Sequence, residues 1–214
     1  MSQARPTQQE WRHGVAERRQ EQSRARILKA ARELFASDGY PSVTVERIAH
    51  AAGVGSATVY NRFGSKATIA AYLFIPAFKE VQQLTEADIV AHLPLEPAVR
   101  TYFERLAHLA LTDPLFVDAF LRGVFESGLL AGQPVSDSDP RRVVPLPAPL
   151  AAIFRAGIRQ GELLSAVDAD HIAALALGAF MVALARGDEP LRAAHLITGL
   201  FLYGIDGQAY GSVR

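Results

Sequence analysis

GVGSATVYNRFGSK, residues 53–66, contains three glycines, a run of small polar residues, and an aromatic pair, Tyr60 and Phe63, about one helical turn apart. Its composition fits either a loose surface loop or a short helix with a polar outer face. The residues before it help to decide. Thr44 is a candidate N-cap, and in the following VERIAHAA the residues Val45, Ile48, Ala49 and Ala52 recur at helical spacing on one side. Gly53 interrupts that pattern, and helical spacing resumes at Ser56. Two helices joined by a short glycine-containing turn make a helix-turn-helix. Each position then meets its own geometric demand. Ala49 is small where the helices cross, Gly53 can adopt the positive φ of a tight turn, and Val54 and Val59 supply apolar contacts. SATVYNRF is therefore expected to be a recognition helix whose polar face meets DNA. An ordinary helical hairpin with a solvated face is the alternative.

Upstream, Ile27, Ala30, Ala31, Leu34 and Phe35 form one apolar stripe of an amphipathic helix, which SDGYPS terminates with Gly39 and Pro41. Residues 1–20 are polar and charged and read as a flexible tail, although residues 10–24 can extend the helix. The first 70 residues carry eleven Lys or Arg and six Asp or Glu, a net +5, while residues 71–214 carry eleven and sixteen, a net −5. A basic head on an acidic body suits a polyanionic partner at one end. Arg12, Arg18, Arg19, Arg24 and Arg26 give the tail the charge of a DNA-gripping arm, with a solvated extension as the alternative. The chain has no cysteine, which excludes disulfides and thiolate zinc sites. There is no secretory signal at the start, and the longest apolar run, residues 172–185, is shorter than the ~18 residues a membrane span needs. A cytoplasmic protein without membrane contact is expected.

The stretch from Ala25 to Leu73 resembles the N-terminal domain of TetR-family transcriptional regulators, on AARELF, GY, TV..IA..AGV, TVYNRF and SK. The resemblance covers about a quarter of the chain. It implies an all-α protein with a three-helix helix-turn-helix domain at residues 21–70 and a helical ligand-binding and dimerisation domain at 71–214. It also implies a homodimer on a palindromic double-stranded operator, controlled by a small-molecule effector. Thr44, Tyr60 and Lys66 are then expected on phosphates, with Arg47 as a further backbone contact. Lys66, after the N-cap Ser65, would sit where free helix amides favour anions. Ser56, Ala57, Thr58, Asn61 and Arg62 are expected on the base-reading face, Asn61 suited to adenine and Arg62 to guanine. Glu46 departs from the basic residue some relatives carry, and a role at the helix N-terminus suits it better.

Beyond residue 70 the chain reads as successive helices, opening near Pro97, at Pro114 and at Leu150. The Pro- and Ser-rich AGQPVSDSDPRRVVPLPAP, residues 131–149, is expected as a connector, either a loop or a segment lying over the body. Aromatics concentrate on the middle helices. Phe74, Phe78, Tyr102, Phe103, Phe120, Phe125 and Phe154, with Leu106, are candidates for an apolar effector pocket in which Arg105, His108 or Arg122 fixes orientation, or else are plain core. The last two helices are apolar nearly all round, so they are expected to bury themselves against a second copy through Ile172, Leu175, Ala179, Ala183, Leu196, Leu200 and Phe201. A merely well-packed monomer core is the alternative. No catalytic motif is present, no cofactor or metal is expected, and Asp168, Asp170 and His171 read as a helix cap. The expected function is a ligand-released repressor. A regulator without a ligand and a helical small-molecule enzyme or carrier are the alternatives.

Overall fold

Capping chemistry sets the boundaries of the small N-terminal domain. In the computed structural model, which describes residues 8–126, 139–164, 166 and 168–204 (side chains from residue 17 on), the helix α1 runs Gln8–Asp38. Residues 8–20, read from composition as a tail, continue this helix; Gln, Glu, Arg and Ala are all good helix formers. Gly39, at φ 75°, then turns the chain into a 3-10 turn, Tyr40–Ser42. Thr44 caps α2 (Val45–Ala52) by accepting from the Arg47 amide. At its end Gly53 adopts φ 64°, its N–H donating to His50 and the Val54 N–H to Ala49. This paired closure needs the left-handed conformation that glycine takes at least cost. Helix α3, the expected recognition helix, is Ser56–Phe63. Ile27, Ala31 and Phe35 of α1 meet Ile48, Ala49, Val59 and Phe63 in one buried cluster.

The body is built from α4 (Lys66–Val90), α5 (Leu95–Thr112), α6 (Pro114–Glu126), the one-turn α7 (Pro140–Val143), α8 (Pro147–Gln160), α9 (Ala169–Ala185) and α10 (Pro190–Tyr203). All regular elements among the described residues are helical. Helices α4 and α6 serve two cores at once. Ile69, Ala70 and Leu73 of α4, with Ala119 of α6, belong to the head cluster. Phe74, Phe78 and Val81 of α4, with Val117, Phe120 and Val124 of α6, belong to the body cluster. A Cβ on Gly123 would stand 3.1 Å from the Ala67 backbone, so glycine is what allows α6 to approach α4 so closely.

Residues 127–138 of the connector lie outside the described residues. Its second half lies over the body: Val144 and Leu146 are buried, and α8 begins at Pro147, three residues before the expected Leu150. Prolines at the first helical positions of α7 and α8 explain how a proline-rich stretch becomes helical. Asp168 caps α9 by accepting from the amides of Asp170 and His171, and Asp170 pairs with Arg155, so these acids are engaged in helix capping and an ion pair. No helix of the described residues is long and apolar enough to cross a membrane.

Candidate nucleic-acid interface and effector clefts

On α3 the crossing with α2 buries Val59 and Phe63, which turns Ala57, Tyr60 and Asn61 to solvent one helical turn apart. Ser56 and Thr58 flank that face, half-buried, and Thr44 stands exposed at the head of α2. Tyr60 is 47% exposed, and its hydroxyl donates to Glu46 Oε1 at 3.2 Å. Glu46 also accepts from its own amide and from Thr44, and these bonds hold its carboxyl below the usual range. Glu46 thus bonds at the N-terminus of α2, with a consequence the sequence did not suggest: a carboxylate beside the phenol expected to grip phosphate.

The three cations among the expected DNA residues also carry intramolecular partners. Arg62 turns back onto α1 and donates to the Gln20 carbonyl at 2.9 Å, away from the exposed side of α3 that carries Ala57 and Asn61. The reason is angular. Position 62 lies toward α1, not outward, when positions 59 and 63 are buried. Arg47 pairs with Asp38 and donates to the Ser42 carbonyl at 3.1 Å, bracing the turn between α1 and α2. Lys66 opens α4 after the Ser65 cap, as expected, but its ammonium donates to the Tyr40 carbonyl at 3.0 Å and lies 4.0 Å from the centre of the Tyr40 ring. No regular spacing in the sequence announces these partners.

A prediction follows from the Glu46 contact. Glu46→Gln retains an acceptor for Tyr60 but removes a negative charge from the surface expected to meet phosphates. Two unit charges about 4 Å apart in water interact by roughly 1 kcal/mol, so DNA affinity should rise about fivefold at low salt, with the gain fading as salt rises. Anisotropy titrations at two salt concentrations measure it, and equal affinity for the two proteins would remove Glu46 from the interface.

Most of the aromatics expected to line a pocket lie buried together in the body cluster. Phe74 stacks on Phe120 with ring centres 4.5 Å apart, Phe103 lies between Tyr102 and Phe180, and Phe78, Leu106 and Phe154 are buried in the same cluster. The Tyr102 hydroxyl is spent on the Leu146 carbonyl at 2.7 Å, and burial pushes its phenol up. Aromatic stripes at helical spacing fill a core as readily as they line a cavity.

Open space lies to either side of that core. A cleft of about 470 Å³ between α6 and the α9–α10 turn is bordered by Arg122 and Phe125, together with Leu121, Glu126, Leu184 and Asp188, which the sequence reading had not singled out. A second, of about 330 Å³, takes in Arg105 and His108 with Val81 and Leu84 of α4. Arg105 is paired with Asp88 at 2.6 Å and Arg122 with Asp118 at 2.8 Å. Glu126 does more than border its cleft, since the Tyr40 hydroxyl of the head domain donates to its Oε2 at 2.8 Å.

Helices α9 and α10 keep an apolar surface open. Leu175 is 51% exposed and Leu196 48%, and Leu200 and two residues not anticipated, Val182 and Tyr203, are exposed beside them. Ile172, Ala179, Ala183 and Phe201 are half-buried against the body core. A Cβ on Gly178 would meet nothing within 4 Å.

Comparison with known proteins places this architecture. Residues 27–73 match the model of the bacterial regulatory proteins of the tetR family. A curated relative, the uncharacterised HTH-type transcriptional regulator YhgD of Bacillus subtilis, is 27% identical over 118 residues, spanning 55% of this chain and 61% of that protein. The chain thus covers less than two thirds of that relative. Among solved structures, Thermus thermophilus FadR in complex with lauroyl-CoA is similar at a TM-score of 0.72 and 22% identity, covering 85% of this chain and 94% of that one. Bacillus subtilis FadR in complex with stearoyl-CoA is similar at 0.61 and 20%, covering 85% and 98%. RolR in complex with resorcinol is similar at 0.64 and 19%, covering 91% and 93%. The N-terminal domain is thus similar to that of the bacterial regulatory proteins of the tetR family, and the all-helical fold of the chain is similar to those of the three solved structures.

Proposed function

We propose that the protein is an effector-controlled transcriptional repressor that binds a palindromic operator as a homodimer. The observation that carries this reading is the outward face of α3, where Ala57, Tyr60 and Asn61 stand clear of a crossing built by Ala49, Gly53 and Val59. The exposed apolar stripe of α9 and α10 supports the dimer, because an unpaired stripe of that kind marks an interaction surface. A two-fold axis there sets two heads on half-sites about 34–36 Å apart. Effector binding favours another arrangement of the body, and α4, shared by both cores, carries the change to the heads.

The effector is apolar or amphipathic. Acyl-CoA thioesters form a second reading, favoured by the fold similarity to two acyl-CoA complexes. The body's net −5 charge, and the pairing of Arg100, Arg105, Arg122, Arg141 and Arg155 with carboxylates, weigh against so anionic a ligand.

The test is selection of genomic or random DNA by the full chain, followed by footprinting. A two-fold symmetric site is expected. Tyr60→Ala and Lys66→Ala should each weaken binding about tenfold or more, to a similar degree for every sequence, since phosphate contacts position without reading bases. A protein that selects no DNA would end this reading.

A further inference from the structure

The cleft between α6 and the α9–α10 turn has a charge pattern that its apolar walls do not explain. Val117, Leu121, Phe125 and Leu184 supply those walls. Around them stand three carboxylates, Asp118, Glu126 and Asp188, against the single cation Arg122. The positive charge of Arg122 is offset by Asp118. Its Nε lies 2.8 Å from both carboxylate oxygens of Asp118, and that pairing raises its pKa. The neighbouring N-terminus of α10, which would otherwise attract an anion, is closed by the Glu189 carboxylate accepting from the amides of Leu191 and Arg192. What remains is a net charge of about −2 from Glu126 and Asp188 beside a half-buried phenylalanine ring, a setting that favours a positive head group through ion pairing and cation–π attraction. At about 470 Å³ the space is within the size range of small-molecule sites.

We propose that this cleft is a binding site for an amphipathic organic cation, and that Glu126, shared between the cleft and Tyr40 of the head domain, couples occupancy to DNA binding. The coupling half rests on the regulator reading; the binding half does not. Its route is a chain of direct contacts. Glu126 accepts from the Tyr40 hydroxyl, the Tyr40 carbonyl accepts from the Lys66 ammonium at 3.0 Å, and the Tyr40 ring lies under that ammonium. A cation that pairs with Glu126 competes with the phenol for the carboxylate. The 3-10 turn then loses its anchor on α6, and Lys66, at the first turn of α4, loses its fixed position.

Calorimetry on the full chain with octyltrimethylammonium tests the site, with octanoate and octanol as anionic and neutral comparators of equal chain length. The cation should bind once per chain and at least tenfold more tightly than either comparator. Asp188→Asn, an exposed substitution, and the pair Asp188→Asn with Glu126→Gln should weaken it progressively, the pair by tenfold or more. No binding, equal binding of octanoate, or indifference to Asp188→Asn overturns the site. For the coupling, the affinity for a selected DNA fragment is measured with and without the cation. A ratio of at least fivefold is expected in the parent, falling to within twofold in Tyr40→Phe while calorimetric affinity for the cation persists. A ratio unchanged in Tyr40→Phe overturns the route through Tyr40. A chain that selects no DNA fells the regulator reading instead, and the calorimetry still decides the cleft.

Discussion

Leu196→Glu is expected to convert the protein from dimer to monomer and to weaken operator binding by about 10²–10⁴-fold. The magnitude follows from tethering: two heads held on one body bind the second half-site at high effective concentration, and separation forfeits that gain. Leu196 suits the test because it is half exposed in the single chain, where glutamate costs little, while its neighbour Ile197 is core. In a dimer through α9 and α10, the same glutamate would bury an unpaired charge at the centre of an apolar contact. Leu175→Glu, on α9, should behave alike, since Leu175 is similarly exposed. Sedimentation equilibrium and anisotropy on the selected DNA measure the two effects. A variant that sediments like the parent would place the interface elsewhere.

Phe103→Ala should destabilise the protein by about 3–5 kcal/mol, the range for removing a large aromatic from a core that cannot collapse around the gap. Phe103 is fully buried, with ring centres 5.5 Å from Tyr102 and 5.3 Å from Phe180. Were this cluster a ligand chamber, truncation would mostly enlarge an existing space and the loss would be far smaller. Denaturant unfolding with the slope held in common gives the value. Phe125→Ala is the internal contrast: its ring borders the open cleft and is half-buried, so roughly 1–2 kcal/mol is expected from lost apolar burial alone.

The N-terminal domain was legible because its determinants are local. Thr44 and Ser65 cap helices through their own side chains, and Gly53 takes a conformation that its lack of a Cβ permits. The 3.6-residue period of α1 and α2 selects which side chains are buried. Such features depend on residues within a turn or two of one another, so composition and spacing carry them. The stripe on α9 and α10 was legible for the same reason, although spacing did not single out Val182 and Tyr203 as part of the exposed face.

Contacts between distant elements were not legible. Arg62, Arg47 and Lys66 all read as free cations at the expected DNA face, and each has a partner far along the chain or across a turn: Gln20, Asp38 and Tyr40. Whether the middle aromatics fill a core or line a chamber was equally closed to inspection, since both arrangements obey the same periodicity. The sequence by itself determined most of the helices, the caps Thr44, Ser65 and Asp168, and the α2–turn–α3 unit, because those are set by short-range sterics and hydrogen bonding. Only the tertiary structure decided that most of these aromatics are buried against one another, that open space lies beside α6, and that Glu126 reaches Tyr40 across 86 positions. Those outcomes depend on how helices pack, which no short-range pattern encodes.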